Sequence, residues 1–171
     1  MSEQTDQESP LRLREPANLV SPRARLMWLT EGALLMLVLL GGQVAWWFID
    51  GRGSRTPHLV VGAVWLVVTV LYLSIMPVWR YRVHRWENTE TAVYTQTGWL
   101  DQERRIAPVS RIQTVDMNRG PVAQALGLAS VTVTTASAAG PLRIHGLDLD
   151  VARHLVEDLT VLTIAERGDA T

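Results

Sequence analysis

Hydrophobic positions along this chain change their rhythm once, near residue 79. Before it, two nearly continuous apolar runs, 32–49 and 59–78, are joined by a short polar segment, 50–58. Each run approaches the roughly 20 residues that an α-helix needs to cross a hydrocarbon core of about 30 Å. Two such runs in tandem predict a membrane-embedded helical hairpin over 26–79, with spans at about 29–49 and 59–78. A secretory signal fits poorly. The tail before the first run is long and contains acids, no A-x-A pattern follows, and a second run comes at once.

After residue 79 the period becomes alternating. Tyr81, Val83 and Arg85 interleave with Arg82, His84 and Trp86, which predicts that the first strand begins there. Segments 92–97, 103–107, 111–117, 130–135 and 142–145 read as further short strands separated by turn residues. Such spacing predicts an antiparallel sheet, sandwich or barrel. Residues 121–127, PVAQALG, fit one helical turn with Pro at its start and Gly as its cap. The last segment is helical. Asp148 is its expected N-cap and Asp150 sits in its first turn. Ala152, Leu155, Val156, Leu159 and Leu162 follow helical spacing and predict a face that covers the sheet. The fold class is therefore a membrane-anchored α+β chain. Its expected parts are a disordered tail (1–25), the hairpin (26–79), a soluble domain (80–167) and a second tail (168–171).

Composition narrows the function classes. Formal net charge is −1, which argues against nucleic acid as a partner. All sixteen cations are Arg, a bias that reads as coding composition. The chain has no Cys, so disulfides, thiol catalysis and Cys-based zinc sites are excluded. The four His residues, at 58, 84, 145 and 154, show no metal spacing and read as surface or edge residues. Ser110 and Ser130 lack a nucleophile-elbow context. No metal, cofactor or enzyme activity is expected.

Arg placement suggests orientation. Arg12, Arg14, Arg23 and Arg25 precede the first span and Arg80, Arg82 and Arg85 follow the second; the connecting loop holds Arg52 and Arg55. The positive-inside rule then places both termini in the cytoplasm and the connecting loop outside, with two spans in the plasma membrane. Trp28, Trp46 and Trp47 stand where interfacial aromatics are expected, and Glu31 reads as a snorkelling terminal acid. Gly41 and Ala45 offer a small-xxx-small step for helix packing.

The stretch 98–136 carries a specific string. It contains Arg104-Arg105, Pro108, Arg111-Ile112-Gln113, Val115-Asp116, Pro121, Gly127-Leu128 and Thr135-Ala136. In this spacing it resembles the bacterial pleckstrin-homology (PH)-like membrane proteins of the YdbS-like group. That resemblance implies a PH-like fold of two nearly orthogonal sheets, forming a partly open barrel or sandwich capped by the C-terminal helix. The motif reads as structural: Ile112 and Val115 as core, Gly127 as a cap, and Gln113 as a buried or edge hydrogen-bonder.

The functional expectation is a non-enzymatic protein that presents this domain as a protein-interaction or oligomerisation scaffold, with a membrane protein or a second copy as partner. The alternative is a sensor of anionic lipid, with Arg80, Arg82, Arg85, Trp79 and Trp86 as headgroup candidates and Arg104, Arg105 and Arg111 as a second basic patch. A weaker alternative is an accessory subunit of a transport complex.

Overall fold

In the computed structural model the chain is described over residues 15–51, 53–137 and 140–169. Strand β1 (Asn18–Leu19) precedes helices α1 (Ala24–Ile49) and α2 (Thr56–Val83). Strands β2 (Arg85–Asn88), β3 (Ala92–Gly98) and β4 (Gln102–Pro108) follow. A 3₁₀ turn (Val109–Arg111) leads to β5 (Ile112–Asn118), short helix α3 (Pro121–Ala125), β6 (Leu128–Thr135), β7 (Leu142–Asp148) and α4 (Leu149–Asp169). The strands form two antiparallel sheets, β1-β2-β3-β4 and β5-β6-β7. The sheets do not close into a barrel; they pack as an open, PH-like sandwich.

The two long helices form an antiparallel apolar hairpin. In their most apolar windows only 11% and 6% of residues are buried within the protein. A core helix of a soluble protein would be mostly covered, so these apolar surfaces need a non-aqueous neighbour. The helices approach at Gly32. A methyl group there would lie 3.1 Å from side-chain carbons of Tyr72 and Leu73, so the small residue lets the helices come close. Gly41, the expected contact, has open space beside it.

Three further expectations shift. Helix α2 does not end near residue 79 but runs through Val83, past Pro77, so Tyr81 to Val83 are helical and the strand pattern begins at Arg85. Alternation over so few residues cannot separate the last turns of a helix from a strand. The tail is ordered well before residue 26. Asn18 and Leu19 pair with Trp86 and Arg85, and Ser21 N–H donates to the Gly146 carbonyl at 2.9 Å. At the other end α4 continues through Asp169, inside the expected tail. Residues 1–14 and 170–171 lie outside the described residues.

The core explains how hairpin and sandwich become one body. Ala24, Met27 and Trp28 of α1 are buried, at helical spacing, against the domain. The chain passes closely at Gly146, which has φ +74°; a Cβ there would lie 2.6 Å from that of Ala24. On the three-stranded sheet, Val131 faces Ile144 and Val133 faces Leu142, all buried. Helix α4 packs on that sheet, with Ala152, Leu155 and Leu159 buried as the spacing predicts. Asp148 stands at its N-terminal boundary and accepts the Ser21 hydroxyl at 2.8 Å.

Candidate functional site: a basic cleft beside the second apolar helix

The strand register builds one side of the site. On β3 and β4, the pairs Val93–Ala107, Thr95–Arg105 and Thr97–Glu103 lie along one face. Side chains on a strand alternate faces, so this row is apolar at its core end and polar towards the Gly98 turn. The other side is edge strand β7. Its register steps from Val131–Ile144 to Ala129–Leu147, which leaves His145 and Gly146 together opposite Ser130. Strand alternation puts His145 on the same face as Arg143, away from the apolar row, with Nδ1 3.3 Å from the Ser130 hydroxyl.

The end of α2 closes the cleft. Arg80 stacks its guanidinium over Trp28, 4.7 Å from the ring centroid. His84 packs on the same indole, 4.9 Å away, and its Nδ1–H donates to the Arg80 carbonyl at 2.7 Å. Arg105 bridges the two sheets: it pairs with Glu103 at 2.6 Å and donates to the Pro141 carbonyl at 3.1 Å. The resulting open cleft has a volume of about 560 Å³. Arg80, Arg105 and Arg143 line it with Glu103 as its one acid, together with His84, His145 and the Thr95 and Thr97 hydroxyls.

Both imidazoles are neutral near pH 7. Burial pushes His84 down to about 4, with Arg80 and His145 adding repulsion against the Nδ1–H bond that favours its charge. Burial also lowers His145, followed by the fields of Arg80 and Arg143. Charge at neutral pH is therefore that of three guanidinium groups against one carboxylate. Such a surface offers charge-assisted donors of the kind that suit an anion with several oxygen acceptors.

The sequence-derived candidates divide. Arg80 enters the cleft, whereas Arg82, two residues along the helix, is exposed elsewhere. Arg85 is half-buried on β2. Trp79 is 51% exposed, as an interfacial anchor would be, but Trp86 packs against the core. Arg104 and Arg105 point to opposite faces of β4, and Arg111 ends the 3₁₀ turn, so the three do not form one patch. Arg104 instead meets Glu15 at 3.5 Å. Trp28, expected at an interface, is 1% exposed in the junction. His58 and His84, expected at the surface, are 2% and 3% exposed.

The motif string lies mainly in structural positions. Ile112 and Leu128 are buried, Val115 is half-buried, and Gly127 follows α3 with φ +68°. Thr135 pairs with Ile112, and Gln113 is the residue skipped by the irregular register of edge strand β5. Asp116 is exposed and accepts the Thr114 hydroxyl at 3.2 Å; Pro108 ends β4. Sequence reasoning missed Arg143, His145, Thr95 and Thr97. Their signal was the i, i+2 spacing of polar residues inside otherwise apolar strands.

Residues 24–161 match the bacterial PH domain family. The chain belongs to that family. It is also 28% identical over 158 residues to the UPF0699 transmembrane protein YdbS of Bacillus subtilis (strain 168), covering 86% of this chain and 93% of that relative. No solved structure matches. This bacterial PH domain protein is thus a membrane protein, in which the first helix of the hairpin lies inside the family's matched segment and packs as part of the domain.

Proposed function

We propose that this protein is a non-catalytic receptor for an anionic lipid headgroup, held at the cytoplasmic face of the plasma membrane by two spans. One observation carries the reading. Three Arg side chains from separate elements converge on an open cleft lined by α2, the helix that enters the apolar layer. A headgroup phosphate supplies oxygen acceptors for Arg80, Arg105 and Arg143, while Thr95 and Thr97 offer neutral donors. The Arg residues before and after the hairpin support the cytoplasmic placement.

The test uses the full chain in neutral detergent, with short-chain phosphatidic acid as the probe. Phosphatidic acid should raise the unfolding temperature in a concentration-dependent way, because a ligand of the folded state stabilises it. Phosphatidylcholine should not. Inorganic phosphate alone separates a site for the phosphate group from one for the whole lipid. Arg143→Gln should weaken the response about 10-fold or more, as one charge-assisted hydrogen bond is worth roughly 1.5–3 kcal/mol. Equal responses to both lipids would sink the proposal.

A scaffold role has one supporting observation. β4 and β5 are unpaired sheet edges with Ile106 and Met117 exposed, at 46% and 41%, and an added strand from a partner fits such an edge. Nothing among the described residues favours a transport role.

A further inference from the structure

We infer that the β3–β4 turn is a third membrane contact, a wedge that enters the bilayer beside α2 and fixes the cleft against the lipid surface. The inference rests on the reading of α2 as a span. The turn is Gly98-Trp99-Leu100-Asp101. Leu100 at its tip is 84% exposed, which alone would be unremarkable for a surface leucine. The position of Trp99 changes that. Its ring meets Tyr72 of α2 edge-on, with centroids 6.0 Å apart.

Tyr72 lies eight residues before Arg80 on the same helix. At 1.5 Å per residue the Tyr72 level is about 12 Å further into the apolar layer than Arg80. The 28 residues of α2 extend about 42 Å against a hydrocarbon core of about 30 Å. If the core begins where the polar 50–58 segment ends, it reaches past Tyr72 on the Arg80 side. Trp99 therefore touches a part of α2 that lipid surrounds, and Leu100 at the adjoining tip is presented to lipid.

The backbone holds the tip in place. Gly98 has φ +118°, and a Cβ there would overlap the Asp101 carbonyl oxygen, so the tight turn requires glycine. Asp101 and Glu103 follow at once, and their carboxylates limit how far beyond the tip the turn can enter. The wedge also adjoins the site, since Gly98 and Trp99 line the cleft. A lipid whose headgroup occupies the cleft would have Trp99 beside its glycerol and acyl portion.

The absence of Cys makes single-site labelling direct. An environment-sensitive fluorophore is placed at Leu100→Cys, at Val67→Cys on the exposed face of α2, and at Ser110→Cys on the exposed turn beyond β4. The full chain is reconstituted into phosphatidylcholine bilayers with and without nitroxide-labelled lipid. The expected result is a blue-shifted, quenched signal at residues 67 and 100, and neither effect at 110. Quenching at 67 with residue 100 behaving like 110 would overturn the wedge while leaving the span intact. No quenching at 67 would overturn the span, and the wedge with it.

Discussion

The two ends of the helical hairpin use the same side chains to opposite effect. At the loop end, His58 is buried between Trp46 and Trp47, with ring centroids 3.9 and 5.4 Å away, and Arg55 lies over Trp47 at 4.6 Å. At the domain end, His84 packs on Trp28 and Arg80 lies over the same indole. The difference lies in what each imidazole bonds to. His58 Nε2–H donates to Asp50 Oδ2 at 2.9 Å, and Gln43 and Arg55 donate to backbone carbonyls nearby, so an acid closes the loop cluster, although His58 Nδ1 is buried without a hydrogen-bond partner. His84 has only a carbonyl as its bonded partner, and cations line the cleft beside it. A histidine–tryptophan–arginine cluster is a clasp when an acid completes it. Without an acid bonded to the imidazole, the same three residue types border the proposed anion site.

Acid should break the domain end first, and this is the largest effect expected. A histidine that is ordinarily near 6.5 when unfolded but about 4 in the fold binds its proton preferentially in the unfolded state. Stability is then fully present above pH 6.5 and falls as pH drops from about 6.5 to about 4. The loss from His84 is roughly 2 kcal/mol at pH 5 and roughly 3 kcal/mol at pH 4. The field at this position comes from Arg80 and His145, with Arg143 acting on His145, so both imidazoles contribute in the same direction. Unfolding in neutral detergent across this range should show the loss, and His84→Gln should flatten it. An unchanged pH profile in the variant would remove His84 as the cause.

The loop end sharpens the comparison from the other side. Asp50→Asn keeps the shape but takes the charge from the bond to a His that is 2% exposed. Weakening a buried partner of this kind costs about 1–3 kcal/mol. The expected readouts are a lower unfolding temperature and faster proteolysis of the loop. Binding of phosphatidic acid should stay the same, because the cleft lies at the far end of α2. A change in binding would show that the two ends are coupled.

How much of this was legible in the sequence follows from range. The apolar runs, the amphipathic spacing of Ala152, Leu155 and Leu159, and the Pro121 and Gly127 boundaries of the short helix are local signals, and each is realised. The 98–136 string fixed the family because its spacing encodes turns and core positions of one fold. The cleft was not legible, since it is assembled from α2, β3, β4 and β7 by strand pairing between distant segments. Helix α2 was cut short because its last turns mix polar and apolar residues, and they fold as helix by packing on the domain. Trp28 shows the same limit. A Trp beside Arg residues reads as an interfacial anchor, but the ordered N-terminal arm draws the start of α1 down onto β7, and the indole goes inside.

The smallest effect is the one that separates a built site from a merely basic neighbourhood. Arg82 lies only two residues beyond Arg80, but it is exposed and outside the cleft. Near an anionic leaflet it contributes up to about 1 kcal/mol of non-specific attraction, and screening reduces that near 0.15 M salt. Arg82→Gln should therefore leave the phosphatidic acid response in neutral detergent within about 2-fold of the parent, where Arg143→Gln loses about 10-fold or more. If the two variants weaken binding equally, the response depends on total charge and not on position. The arrangement of Arg80, Arg105 and Arg143 would then be a consequence of topology, and the edges of β4 and β5 would become the better place to seek a partner.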